Sequence, residues 1–182
     1  MKRHIPNILT AGRVVLAVGV FLLLLAPDVP WHATALVLFV VAAATDAIDG
    51  YLARRLGAAT AFGRIADPAA DKILVCGVLV ILLDDATLAE ATGFAPWMTA
   101  LVVARELAMM SLRGILETRG TPFGARGLGK AKATVQFISC ALLLARPLLF
   151  AQGQIDLLMK FLLPAMVALT LVSCVPYLRR GK

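Results

Sequence analysis

Thr45-Asp46-Ala47-Ile48-Asp49-Gly50-Tyr51-Leu52-Ala53-Arg54-Arg55, followed by Asp67-Pro68-Ala69-Ala70-Asp71-Lys72, is the stretch on which the reading of this chain turns. It sets four carboxylates at the ends of two apolar runs. Asp46 and Asp49 are spaced i, i+3 and share one helix face; Asp67 and Asp71, spaced i, i+4, do the same. Acids at the edge of a segment apolar enough to enter a bilayer are costly and mark a site. Two helices joined by a short loop would turn all four toward one spot. Like charges at that density repel, so either protons or cations must neutralise them. Hard oxygen donors suit Mg²⁺ or Mn²⁺, and two such ions side by side are a recurring device for displacement at phosphorus. Gly50 lets a ligand or a second helix come close to the backbone, and Ala53 keeps the same face clear. Arg54 can make a bidentate contact to phosphate, and Gly63 permits a turn before the second helix. Ion pairs with Arg54, Arg64 and Lys72 would account for any one of these acids, but poorly for all four together.

The rest of the composition fits a bilayer. Of 182 residues, 60% are hydrophobic and 16% are charged, against about 25% charged in an ordinary globular chain. A chain of one-domain length cannot hide that much apolar side chain from water, which excludes a free-standing soluble protein and a disordered one. Six apolar segments can be drawn, at about 8–27, 33–55, 68–83, 95–116, 130–150 and 156–178, each near the roughly 20 residues a transmembrane helix needs. The basic start Lys2-Arg3-His4 ahead of the apolar run 14–26 also resembles a signal peptide, but the break Pro27-Asp28-Val29-Pro30 leads into further apolar segments rather than a soluble domain. Lys2, Arg3, Arg54, Arg55, Arg64, Arg119, Arg126, Lys130, Arg179, Arg180 and Lys182 fall at alternate loops and ends. The opposite loops carry Asp28, Asp84, Asp85 and Glu90 and no Lys or Arg. The expectation is an all-α membrane protein of six spans with both termini in the cytoplasm, a single domain over 1–182. The net charge of +7 then belongs to loops facing an anionic leaflet, with no nucleic-acid partner. Cys76, Cys140 and Cys174, odd in number and far apart inside apolar stretches, read as core packing rather than a disulfide or zinc framework.

Written as a pattern, the opening stretch is D-x-x-D-G-x-x-A-R-x₈-G-x₃-D-x₃-D over Asp46, Asp49, Gly50, Ala53, Arg54, Gly63, Asp67 and Asp71. It resembles the signature of the CDP-alcohol phosphotransferases at every fixed position, a coincidence on the order of one in 10¹⁰ per start position if each residue type is near one in twenty. The resemblance implies an integral membrane enzyme, usually a homodimer, that joins a CDP-linked lipid or alcohol to a second alcohol and releases CMP. It implies two divalent ions, Mg²⁺ or Mn²⁺, on Asp46, Asp49, Asp67 and Asp71, with Asp71 also the general base. It places Asp46, Gly50, Arg54 and Thr60 at the nucleotide, joined by Asn7 and Thr10 of the opening Ile5-Pro6-Asn7-Ile8-Leu9-Thr10.

The acceptor is read from the second half of the chain. Ala104-Arg105-Glu106, Ser111-Leu112-Arg113 and Gly129-Lys130-Ala131-Lys132 would form a basic mouth suited to an anionic acceptor. Arg105, Arg113 and Lys130 are the candidates for holding its phosphate; pairing of Arg105 with Glu106 or Glu117, and plain interfacial anchoring of Arg113 and the lysines, are the alternatives. In order and spacing these residues resemble family members that take glycerol 3-phosphate, except that Thr134 follows Lys132 one position later than in such members. The expected donor is therefore CDP-diacylglycerol, the acceptor glycerol 3-phosphate, the setting membrane lipid, and the location the inner (plasma) membrane with the site facing the cytoplasm. An inositol phosphate, serine or phosphatidylglycerol acceptor keeps the same chemistry. A small transporter would also use intramembrane acids and arginines, but would show uptake without CMP release.

Overall fold

The computed structural model of the chain describes residues 5–26, 29–56, 72–118, 127–149 and 152–175. Among these every regular element is helical: α1 (Ile5–Leu24), α2 (Val29–Leu56), α3 (residues 72–81), α4 (Ala86–Thr92), α5 (Pro96–Thr118), α6 (Gly127–Ala145) and α7 (Gln152–Val172), with 3₁₀ turns at Leu82–Asp84 and Arg146–Leu148. The all-α expectation holds. Two helical stretches, Gly127–Leu148 and Gln152–Val172, are long and apolar enough to cross a membrane, and Gly12–Leu24 and His32–Thr45 are shorter apolar segments.

The chain forms two compact units, residues 1–81 with 144–150, and residues 82–143 with 151–182. In the first, α1 packs along α2, and the 3₁₀ turn Arg146–Leu148 packs on α2. The buried residues of α1 (Arg13, Ala17, Val20, Leu24) and of α2 (Ala35, Phe39, Ala42) each recur at helical spacing. Ala17, Ala35 and Ala42 keep these faces small, which lets neighbouring helices approach closely. On α3, Gly77 lies directly under the Phe21 ring of α1, where a Cβ would overlap the ring atoms. Gly77→Ala is expected to cost about 1–3 kcal/mol of stability through overpacking. Thermal unfolding in detergent should show that loss, and Phe21→Ala in the same chain should largely remove it.

The second unit contains α4, α5 and α7, with α7 packing against both α4 and α5, and the greater part of α6. The helix α4 falls inside the segment 84–94 read above as a loop. Local capping explains it: the Asp85 carboxylate accepts from Leu88 N at 3.0 Å, and Gly93 ends the helix at φ 73°. Leu88 and Thr92 are then buried.

Large apolar side chains are exposed while some charged ones are buried: Val15 is 70% exposed and Phe161 72%, whereas Arg13 and Glu106 are each 2% exposed. An apolar outside of this kind, with a few charges sequestered among an otherwise apolar core, is an arrangement a hydrocarbon solvent favours.

Candidate active site

The motif begins on α2. Its backbone is helical through Asp46, Asp49, Gly50, Ala53 and Arg54 to Leu56, so the two aspartates sit one turn apart and Arg54 follows on the next. The Thr45 hydroxyl, just before Asp46, donates to the Val41 carbonyl at 2.8 Å and is satisfied within its own helix. Thr60, Gly63, Asp67 and Asp71 lie outside the described residues. Lys72, immediately after Asp71, opens the described part of α3 and is half-buried. Asn7 and Thr10 lie on α1, and Arg113 on α5.

A set of four carboxylates with no sulfur or imidazole donor fits Mg²⁺ or Mn²⁺ rather than a softer metal. The helical turn joining Asp46 to Asp49 is compatible with their serving one centre.

The second unit holds a buried polar cluster at one end of its helices. On α5 the buried face runs Met98, Val102, Glu106 and Met109; on α6 it runs Lys132, Gln136, Ser139, Cys140 and Leu143; on α7 it runs Met159, Leu163, Met166 and Thr170. The polar members are grouped where α6 begins and α7 ends. Glu106 is the hub. Its Oε1 accepts from Arg105 Nη1 at 3.1 Å, from Lys132 Nζ at 2.5 Å and from Gln136 Nε2 at 3.3 Å. Gln136 Nε2 also donates to Thr170 Oγ1 at 3.2 Å. Arg105 is held further by Nη2 donating to Ser173 Oγ at 2.8 Å and Nε donating to Cys174 Sγ at 3.1 Å. The Ser173 hydroxyl in turn donates to the Thr170 carbonyl at 2.7 Å. A guanidinium has five N–H donors; these three bonds leave two, one on each terminal nitrogen.

Two cationic heads, those of Arg105 and Lys132, share the Glu106 carboxylate, with side chains only 8%, 9% and 3% exposed for Arg105, Lys132 and Glu106. Burying charges this deeply is costly in desolvation. Such a cluster suits an anion.

Of the three residues read from the sequence as a phosphate clamp, Arg105 belongs to this cluster, and its pairing with Glu106 is realised alongside. Lys130 is exposed on α6. Two positions on, and so roughly opposite around the helix, Lys132 is the lysine that points inward. Thr134 is exposed and donates to the Lys130 carbonyl at 3.1 Å, so its hydroxyl serves its own helix. Glu106 as hub, Gln136, Thr170 and Ser173 were not singled out by sequence reasoning. The signal was present in the spacing 132, 136, 139, 143, which puts three polar residues, Lys132, Gln136 and Ser139, on an otherwise apolar buried face.

The comparisons with known proteins point the same way. Residues 3–173 match the model of the CDP-alcohol phosphatidyltransferase family. Similar proteins include the CDP-diacylglycerol–glycerol-3-phosphate 3-phosphatidyltransferases of Bacillus subtilis, 34% identical over 161 residues (81% of this chain, 79% of the relative), and of Escherichia coli K12, 36% identical over 153 residues (81% and 80%). A CMP-forming cardiolipin synthase of rice is 33% identical over 150 residues, covering 78% of this chain and 45% of that one. With the four-aspartate motif, a match over nearly the whole length and relatives above 30% identity, the chain belongs to the CDP-alcohol phosphatidyltransferase family.

Proposed function

We propose that the chain transfers the phosphatidyl group of CDP-diacylglycerol to glycerol 3-phosphate, giving phosphatidylglycerophosphate and CMP. The observation that carries the choice of acceptor is the buried cluster in which Arg105 and Lys132 meet on Glu106. A phosphomonoester suits two gathered cationic heads; the zwitterion serine does so poorly, and phosphatidylglycerol would bring a diester and two acyl chains. The names of the relatives in Bacillus subtilis and Escherichia coli agree.

The donor's acyl chains would lie in lipid, so the polar site need only orient the head group. Asn7, Thr10, Gly50, Arg54 and Thr60 would hold the nucleotide. Arg105 and Arg113 would hold the acceptor phosphate, joined by Lys132, which faces the cluster from α6, whereas Lys130 lies on the opposite, exposed side of that helix. Asp71 would take the proton from the acceptor's primary hydroxyl, whose oxygen attacks the β-phosphorus as CMP leaves. Arg54 would stabilise charge on the phosphoryl oxygens. Asp46, Asp49, Asp67 and Asp71 would hold two Mg²⁺ or Mn²⁺ ions, and the chemistry those ions supply is neutralisation of phosphoryl and leaving-group charge.

The enzyme would sit in the inner (plasma) membrane as a six-span homodimer, each chain one domain, with its site and both termini in the cytoplasm. In support, residues early in α6 and just past α7 meet at one cluster on α5. The start of α6 and the end of α7 therefore lie on one side of this unit, and in sequence each adjoins a basic segment.

The test is CMP release by purified protein given CDP-diacylglycerol, Mg²⁺ and one acceptor at a time. Release with glycerol 3-phosphate alone is expected; release only with another acceptor would overturn the assignment. Arg113→Ala should raise the KM for glycerol 3-phosphate about tenfold and leave that for the lipid nearly unchanged. Equal rises in both would remove Arg113 from the acceptor site.

A further inference from the structure

We infer that Glu106 is a positioning residue for the acceptor: its charge fixes Arg105 and Lys132 in the arrangement that receives the acceptor phosphate. The inference rests on the reading of this cluster as the acceptor site.

Three donors from two helices converge on one Glu106 oxygen: Arg105 Nη1 from α5 itself, and Lys132 Nζ and Gln136 Nε2 from α6. Lysine and arginine side chains are long and would otherwise sample many rotamers, a freedom lost when a ligand orders them. Here the cost is met on folding. Arg105 is tied at all three nitrogens, to Glu106, Cys174 and Ser173, yet keeps two N–H groups for a ligand. Without a carboxylate between them, two buried cations would repel and separate. With it, they stay close, and an incoming phosphate meets two cationic heads already gathered at one place. Arg105 and Glu106 are adjacent in sequence and their Cβ atoms diverge around α5. The long Arg105 side chain nonetheless brings its Nη1 to Glu106 Oε1 while Nη2 holds Ser173 Oγ. Glu106 lies among protein groups, so its effect on the acceptor passes through the two cations it holds.

The two roles a buried glutamate could have are separable. Glutamine at position 106 has the same shape and offers an acceptor oxygen to the same three donors, so it satisfies a purely structural requirement. It lacks the charge. Glu106→Gln, Lys132→Gln and the double variant are compared in detergent, with KM for glycerol 3-phosphate, KM for CDP-diacylglycerol and thermal stability measured for each. Glu106→Gln is expected to raise the acceptor KM about tenfold, with the lipid KM within about twofold of wild type. In the Lys132→Gln background, where only the route through Arg105 remains, the same change should raise it about threefold, so the two single effects do not multiply. Should Glu106→Gln alone fail to fold, the double variant removes one cation together with the carboxylate, and its comparison with Lys132→Gln gives the expected threefold rise. A wild-type acceptor KM in Glu106→Gln, equal rises for both substrates, or multiplicative single effects would overturn the role of Glu106 and leave the acceptor assignment standing. A wild-type protein that does not turn over glycerol 3-phosphate would overturn both.

Discussion

Asp71→Asn is expected to lower kcat by about a thousandfold or more while the protein still inserts, folds and binds CDP-diacylglycerol. The substitution keeps the side chain's size and removes its capacity to accept a proton. A positioned general base contributes on the order of 10²–10⁴ in rate, and Asp71 is also the fourth candidate metal ligand, so two contributions fall together. They can be told apart. If Asp71 acts only as a ligand, raising Mg²⁺ should recover much of the lost rate, as it should for Asp67→Asn. If it also takes the hydroxyl proton, saturating metal leaves Asp71→Asn inactive while Asp67→Asn partly recovers. Near wild-type turnover in Asp71→Asn, in protein shown to be folded by its detergent elution profile and helical signal, would remove Asp71 from catalysis altogether.

The helices were readable because apolar runs of about 20 residues have few alternatives, and α1, α2, α5, α6 and α7 fall within several residues of the segments drawn from sequence. The motif was readable because acids spaced i, i+3 and i, i+4 at the edge of such runs are rarely tolerated without purpose. The helix α4 was hidden because its seven residues carry no sustained apolar period; only Asp85 and Gly93 at its ends announce it. The buried polar cluster on α5 was half visible. Arg105 stood out as a deep cation, but its partners Ser173 and Cys174 lie 68 and 69 positions away, and Lys132 and Gln136 lie 26 and 30 positions from Glu106. Spacing within a helix says which residues share a face, not which face of another helix they meet. Hence the sequence reading chose Lys130 for the phosphate clamp, whereas the register of α6 exposes Lys130 and buries Lys132.

Chelation is the second large effect expected. Stripping divalent cations with EDTA should lower CMP release by roughly a thousandfold, since charge neutralisation at phosphorus by bound metal is worth several kcal/mol and about 4 kcal/mol is three decades in rate. Mg²⁺ or Mn²⁺ should restore it. Ca²⁺ should bind without restoring it, because it prefers longer oxygen distances and a looser geometry than Mg²⁺. If two ions are needed, the rate at low free Mg²⁺ should climb with roughly the square of its concentration; a first-power rise up to saturation would reduce the centre to one ion. Binding has a readout independent of turnover. A ligand that binds only the folded state raises its stability, so Mg²⁺ should raise the Tm of the wild type. Asp46→Asn and Asp49→Asn should lose that rise together, because the two aspartates occupy one turn of α2 and are assigned to one centre. Loss in only one of them would split the pair, and full activity after exhaustive chelation would remove the metal from the reaction.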